Sequence, residues 1–331
     1  MRQLNSITDD RGCSQSAGTL LVFADDWGRH PSSCQHLISQ LLSRYRVTWV
    51  NTIGMRPPRL NWSTLKRGAE KLSHWSEARR PHPALPGGLS VLKPVMWPWF
   101  RTLRDRARNR RLLARQLGRW RASVEGPVTA ITTIPIVADL MDHSLADRWI
   151  YYCVDDFSQW PGVDQQAMAA MECDVVARAD VVVAAGRTLQ RRLESARDDV
   201  ALLTHGVDLS NWTQTCGVDH HECAIASAER PLIVFWGLID RRMDVEFLQR
   251  LGETQPRGTV ALVGPESNPD PALCSTRRLR RFPAVPYEHL PAVAREADVL
   301  IMPYADLPVT RAMQPLKLLE YLASGKPVVV R

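Results

Sequence analysis

Short apolar runs separated by helix-like stretches constrain this chain more than any other feature. Thr19–Ala24 (TLLVFA) reads as a buried strand, followed by a loop over Asp25–Pro31. Ser32–Tyr45 reads as a helix, with Leu37, Leu41 and Leu42 at helical spacing, and Arg46–Thr52 as the next strand. Pro127–Thr133, Trp149–Val154 and Asp180–Ala185 are further strands, and helical segments such as Gln165–Ala179 fall between them. Strand and helix in alternation imply a parallel sheet covered on both faces, an α/β architecture.

The alternation restarts after an irregular stretch, Leu209–Arg230. Pro231–Trp236, Thr259–Val263 and Val299–Pro303 read as strands, with another near Phe282. Val245–Leu251, His289–Ala297 and Pro315–Ala323 read as helices, the last stopped by Gly325. Ala179-Asp180-Val181 and Ala297-Asp298-Val299 echo one another as a helix end, an Asp and a buried strand. The expected organisation is a polar leader over 1–18, a Rossmann-like domain over 19–208, a linker over 209–230 and a second Rossmann-like domain over 231–331. Val328–Val330 begins an apolar strand just before Arg331, so the second unit is expected to be incomplete, with a poorly covered edge. Two such sheets carry ligands at the C-terminal ends of their strands. Facing each other they form a cleft suited to a reaction between two substrates.

With 45% hydrophobic and 23% charged residues in 331, the composition is that of a globular protein. Residues 1–18 lack the apolar core of a secretory signal, and no run approaches the roughly 18 apolar residues of a membrane span. The expected compartment is the cytoplasm. Seven cysteines (Cys13, Cys34, Cys153, Cys173, Cys216, Cys223 and Cys274) are odd in number and show no C-x-x-C pair, which argues against a disulfide framework or zinc site. Cys153 and Cys173 are expected to pack as small apolar residues.

The charge is uneven. Between Arg56 and Arg121 stand 17 Lys and Arg against three acids, although the whole chain is only +7. Met96–Arg121 holds Trp97, Trp99 and Phe100, then nine arginines from Arg101 to Arg121, with Leu103, Leu112, Leu113 and Leu117 as a partial apolar stripe. Three readings compete: an anionic membrane surface met by a basic amphipathic helix, a solvated helix face, and a nucleic-acid contact. No recognition module accompanies the charge, which weighs against nucleic acid.

Four stretches carry a family resemblance: Val154-Asp155-Asp156-Phe157, His205-Gly206-Val207-Asp208, Gly237-Leu238-Ile239-Asp240-Arg241-Arg242, and Pro315 through Val329 (PLKLLEYLASGKPVV). From about Thr19 onward the chain resembles bacterial glycosyltransferases of the GT-B fold, in the retaining, family-4-like group. The last stretch is the most specific. The resemblance implies a nucleotide diphosphate-sugar donor bound by the second domain and a glycan or lipid-linked acceptor bound by the first. It implies no cofactor and no metal.

The residues support parts of that expectation independently. The helix start at Pro315–Lys317 offers free N–H groups and partial positive charge to a diphosphate, and Lys317 adds a full charge. Glu320 suits a pair of vicinal hydroxyls, and the resemblance implies the nucleotide ribose. Its alternative is an ordinary amphipathic helix with Leu316, Leu319 and Leu322 inward. Gly237 lets a ligand approach the backbone. Arg241 and Arg242 can hold a diphosphate, the resemblance favouring Arg242, and a solvated pair on a loop is the plain alternative. Tyr287 enters the donor set by resemblance alone.

Asp156 and His205 are the candidates at the reacting centre, with Asp155 beside them on the acceptor or donor-sugar side. An Asp capping the next helix and a domain hinge are the respective alternatives. Trp27 and Gly28 are candidates for the acceptor side, Trp27 either stacking on a sugar or packing on its own domain. The sequence departs from the family pattern at Ala312, where many members carry a Glu that contacts the donor sugar. That departure favours, as an alternative, a nucleotide-sugar-binding subunit without turnover. A sugar-nucleotide epimerase on the same fold is a second alternative.

Overall fold

A computed structural model describes residues 17–28, 32–52, 85–160, 162–213, 224–274 and 277–331. Two parallel sheets organise them. The first comprises β1 (Thr19–Ala24), β2 (Arg46–Asn51), β3 (Leu89–Leu92), β4 (Val128–Thr132), β5 (Arg148–Cys153), β6 (Val181–Ala184) and β7 (Val200–Leu202). Their order is β3-β2-β1-β4-β5-β6-β7, with every neighbouring pair parallel. The second sheet has the order β12-β10-β8-β13-β14, again all parallel, from β8 (Leu232–Trp236), β10 (Thr259–Val263), β12 (Leu279–Phe282), β13 (Val299–Met302) and β14 (Val328–Val330). A two-stranded ribbon, β9 (Ile239–Asp240) with β11 (Glu266–Ser267), extends beyond the ends of β8 and β10.

Helices follow the strands: α1 (Ser33–Leu41), α2 (Leu103–Ala122), α3 (Gln165–Arg178), α4 (Arg187–Glu194), α5 (Ser210–Thr213), α6 (Val245–Thr254), α7 (Leu290–Glu296), α8 (Pro308–Ala312) and α9 (Leu316–Ala323). The expected alternation is present, with shifted ends. The helix expected over Ser32–Tyr45 stops at Leu41, and Ser32 is its N-cap, accepting a bond from the Gln35 amide. The helix expected over His289–Ala297 is α7 preceded by a short 3-10 turn at Tyr287–His289. β3 and β7 are additional to the strands expected in the first domain. Each is four residues or fewer and carries too short a run for periodicity to register. Part of the stretch read as a linker is ordered: Trp212 in α5 stacks on Trp236 of β8, centroids 5.8 Å apart.

The strands at the centre of each sheet are buried almost throughout, as two-sided cover demands. β8 and β10 are buried at every position. β14 differs: it lies at a sheet edge, with Val329 46% and Val330 50% exposed. Cys153 is fully buried, and burial lifts its thiol pKa to about 12. Cys173, in contrast, lies on the outer face of α3 and is exposed, because Met168, Met171, Glu172, Val175 and Val176 take the inward stripe. The apolar stripe expected in the basic segment is likewise narrower: α2 buries Leu113 and Leu117, and Leu103 stands 80% exposed. No helix among the described residues is long and apolar enough to cross a membrane.

In each sheet the strand order reverses direction once, between β1 and β4 and between β8 and β13. Loops at such points splay apart and leave a crevice at the strand ends. The loops after β8 and β13 carry Gly237 and Tyr304. The two domains meet along this side, where the His205 amide donates to Gln314 Oε1 at 3.2 Å and Ala312 packs against the core of the first domain.

Candidate functional site

At the end of β8 the backbone turns through Gly237 with φ +137, a conformation that favours glycine. A Cβ there would stand 2.4 Å from Lys317 Nζ. The lysine ammonium therefore rests directly against the glycine backbone. Lys317 extends from the first turn of α9, whose N-cap, Pro315, provides no side-chain acceptor for the helix amides. Its Nζ donates to Tyr304 Oη at 2.5 Å and lies about 5 Å from the ring centroids of Phe235 (4.9 Å) and Tyr304 (5.1 Å).

Arg242 reaches the same tyrosine, 5.6 Å from its ring centroid. It is only 7% exposed. Asp240 holds it, with Nε 3.0 Å from both carboxylate oxygens, and Nη1 is 3.6 Å from Met313 Sδ. Its guanidinium also faces Trp160 of the first domain at 5.3 Å. Lys317, Arg242 and the backbone at Gly237 thus form one cationic corner around Tyr304. Arg241 turns away, bonding the Asn268 carbonyl and pairing with Asp270 at 3.4 Å on the β11 loop.

Glu320 lies one turn along α9 from Lys317 and is 4% exposed. Trp236 Nε1 donates to its Oε2 at 3.1 Å, and Tyr287 bonds it as well. Burial raises its pKa, opposed by these bonds and by Lys317. Tyr287 spans the domains: its ring lies 5.3 Å from that of His36 in α1, and burial lifts its phenol to about 12.

Across the cleft, the loop after β5 carries Asp155 and Asp156, both buried. Asp155 accepts the Asp156 amide at 2.8 Å. Burial pushes its pKa to about 6, against the pull of Arg242 in the other domain. Asp156 caps the following 3-10 turn, accepting from the Ser158 amide at 3.1 Å and hydroxyl at 2.5 Å. Its other oxygen is 3.5 Å from Arg192 Nε. Arg192 in turn pairs with buried Glu172, which also accepts from Tyr151 Oη at 2.6 Å. His205 Nδ1 lies 3.2 Å from Tyr152 Oη, and burial lowers its pKa to about 4, so it is neutral at pH 7. A cavity of about 340 Å³ opens between the domains here, lined by Asp156, Gln159, Thr188 and Arg192 from one and by Pro308, Arg311 and Ala312 from the other.

Trp27 packs edge-on against Trp49 of its own domain at 4.9 Å, and its amide donates to Asn51 Oδ1 at 3.0 Å. Gly28 makes the turn beside it at φ +75. Among the described residues no cluster of three or more His, Cys, Asp or Glu is placed to hold a metal.

The structure therefore brings Gly237, Arg242 and Lys317 together on the second-domain side of the cleft, with Glu320 and Tyr287 bonded to each other one helix turn away, and sets Asp155, Asp156 and His205 opposite on the first domain. Arg241, Trp27 and Gly28 stand apart from that group. Sequence reasoning passed over Tyr304, Trp160, Gln314 and Arg192. Tyr304 had a usable signal, since it follows Pro303 at the C-terminal end of a strand. Trp160 and Gln314 gain their partners only where the domains meet, and Arg192 gains Glu172 and Asp156 by packing within the first domain.

No family model matches the chain. Over 174 residues, half of this chain, it is 27% identical to a Bacillus subtilis protein, TuaH, named as a teichuronic acid biosynthesis glycosyltransferase. The chain spans 43% of that relative's length. Among solved structures, a sucrose-phosphate synthase of Thermosynechococcus elongatus superposes with a TM-score of 0.63 at 14% identity, covering 94% of this chain and 80% of that one. HepE of Anabaena in complex with UDP-glucose gives 0.60 at 12% identity, covering 94% and 80%. An α,α-trehalose-phosphate synthase (UDP-forming) of Burkholderia vietnamiensis gives 0.60 at 14%, covering 95% and 83%.

Proposed function

We propose that this chain, which has the two-domain GT-B fold, is a glycosyltransferase. It moves a sugar from a nucleotide diphosphate-sugar to a glycan or lipid-linked acceptor in cell-surface polysaccharide synthesis. The observation that carries the reading is the cationic corner at Tyr304. Two basic side chains, Arg242 from the loop after β9 and Lys317 from the first turn of α9, converge beside a glycine backbone and a helix start that has no side-chain cap. A leaving diphosphate meets there both fixed charge and N–H donors, without a metal. Support also comes from the named relative and from the structural neighbour that holds UDP-glucose.

On this reading the second domain binds the donor and the first binds the acceptor. Asp155 and neutral His205 face the sugar, and anomeric configuration is retained. A nucleotide-sugar donor places the reaction in the cytoplasm. Ala312 on the cavity wall favours a second reading, a subunit that binds donor without turning it over. Incubating the chain with a panel of nucleotide-sugars and glycan acceptors decides between the two. Transfer establishes the enzyme, whereas donor binding with neither transfer nor hydrolysis establishes the binding subunit. No binding of any nucleotide diphosphate overturns both.

A further inference from the structure

The arginines of α2 are not spread evenly around it. At 100° per residue, Arg104, Arg108, Arg111, Arg115 and Arg119 fall within an arc of about 80°. All five are exposed. The inward face, diametrically opposite, is made by Arg106, Asn109, Leu113 and Leu117. Arg106 is the arginine turned into the protein, paired with Asp139 at 2.8 Å and Asp174 at 2.5 Å. Among the described residues the other ion pairs of this segment belong to Arg101 and Arg121, so the five-arginine stripe has no carboxylate against it. The helix's acid, Asp105, is spent on the capping box with Thr102 and on Trp97 Nε1.

The stripe runs about 22 Å along the helix. Its N-terminal end is apolar and aromatic. Leu103 is 80% exposed, and Trp97, half-buried, is covered by Arg108 at 3.7 Å from its ring centroid. That end also lies at the cleft. Arg101 pairs at 2.8 Å with Asp164, the cap of α3, in the segment that follows Asp155 and Asp156.

We propose that this face of α2 docks on an anionic lipid bilayer, the five arginines against headgroup phosphates and Leu103 and Trp97 at the interface. A solvated helix face needs no apolar residues clustered at one end of its charged stripe. An anionic bilayer answers both features at once, attracting the arginines and accepting the apolar side chains. Docking in this orientation sets the rim of the cleft against the membrane, where a lipid-linked acceptor lies. The docking itself rests on the stripe alone and deepens the transferase reading by naming where the acceptor is held.

Flotation of the full chain with phosphatidylcholine vesicles, with and without 30% phosphatidylglycerol, tests it. The expected result is binding to the anionic vesicles that weakens as salt rises. The triple variant R104S/R108S/R111S is expected to lose on the order of a hundredfold in vesicle affinity, since each arginine near an anionic surface contributes roughly a factor of five to ten. The variant R44S/R250S/R257S loses the same net charge from exposed sites elsewhere and is expected to bind like the parent. Equal loss in both variants would overturn the proposal, as would equal binding to neutral and anionic vesicles. So would binding to soluble polyglucuronate through the same arginines with no binding to vesicles. Circular dichroism of each variant confirms that it is folded. Donor binding, measured separately, is expected to be unchanged in R104S/R108S/R111S, so failure of the docking and failure of the transferase reading are told apart.

Discussion

Replacing Gly237 with alanine probes the proposed donor site at its most crowded point. The added methyl would lie 2.4 Å from Lys317 Nζ and 2.8 Å from Cε. Only the far end of a flexible side chain is in the way, so the ammonium is displaced from Tyr304 while the sheet stays. Two separable costs follow. Holding alanine at φ +137 costs stability, about 1–3 kcal/mol. Losing the ammonium from the diphosphate costs about 1.5–3 kcal/mol of binding, as for a hydrogen bond to a charged group. That corresponds to a roughly tenfold to 150-fold rise in Kd. Calorimetric titration with nucleoside diphosphates, beginning with UDP, measures it. A double-mutant cycle with Lys317→Ala identifies the cause, because residues in contact are not additive. If Gly237→Ala acts by displacing Lys317, the double variant binds no more weakly than Lys317→Ala alone. Additive losses, or unchanged affinity in Gly237→Ala, would refute the account.

Tyr304→Phe removes the hydroxyl that receives Lys317 while leaving the ring against Arg242, and donor affinity should fall severalfold with little change in melting temperature. An unaltered Kd would show that Tyr304 does not set the position of Lys317. Glu320→Ala should weaken donor binding by about 1–3 kcal/mol and also destabilise the fold by leaving Trp236 Nε1 unpaired. Glu320→Gln, which keeps an acceptor for the indole, should recover most of the stability, and a Gln variant as unstable as Ala would argue against that bond. The two perturbed groups of the cleft have opposite pH signatures. His205, lowered to about 4, makes folding less favourable as pH falls from about 6.5 to 4. Asp155, raised to about 6, makes it less favourable as pH rises from about 4 to 6. Asp155→Asn should therefore gain stability relative to the parent across that second window, by up to about 3 kcal/mol in urea midpoints, and a constant difference would contradict the shift.

The alternation of apolar runs and helical spacing was by itself enough to determine the architecture, because each central strand is covered on both faces and must be apolar throughout. TLLVFA, PLIVFW and TVALV read as strands for that reason, and they lie at β1, β8 and β10. The placement of Gly237 at a strand end and of Lys317 and Glu320 on successive turns of one helix was legible too, since it depends only on local backbone conformation. The short strands β3 and β7 were not, because three or four residues carry no period. Which arginine of the Arg241–Arg242 pair enters the cleft was decided by tertiary structure. Asp240 and the facing Trp160 and Tyr304 draw Arg242 inward, and Asp270 holds Arg241 out. The same holds for the basic helix. Its charge was plain in the sequence, but only the packing of Leu113 and Leu117, with Asp139 and Asp174 around Arg106, settled which arginines face outward together. A side chain's partners across a fold depend on distances between elements far apart in the chain, and no local pattern carries those.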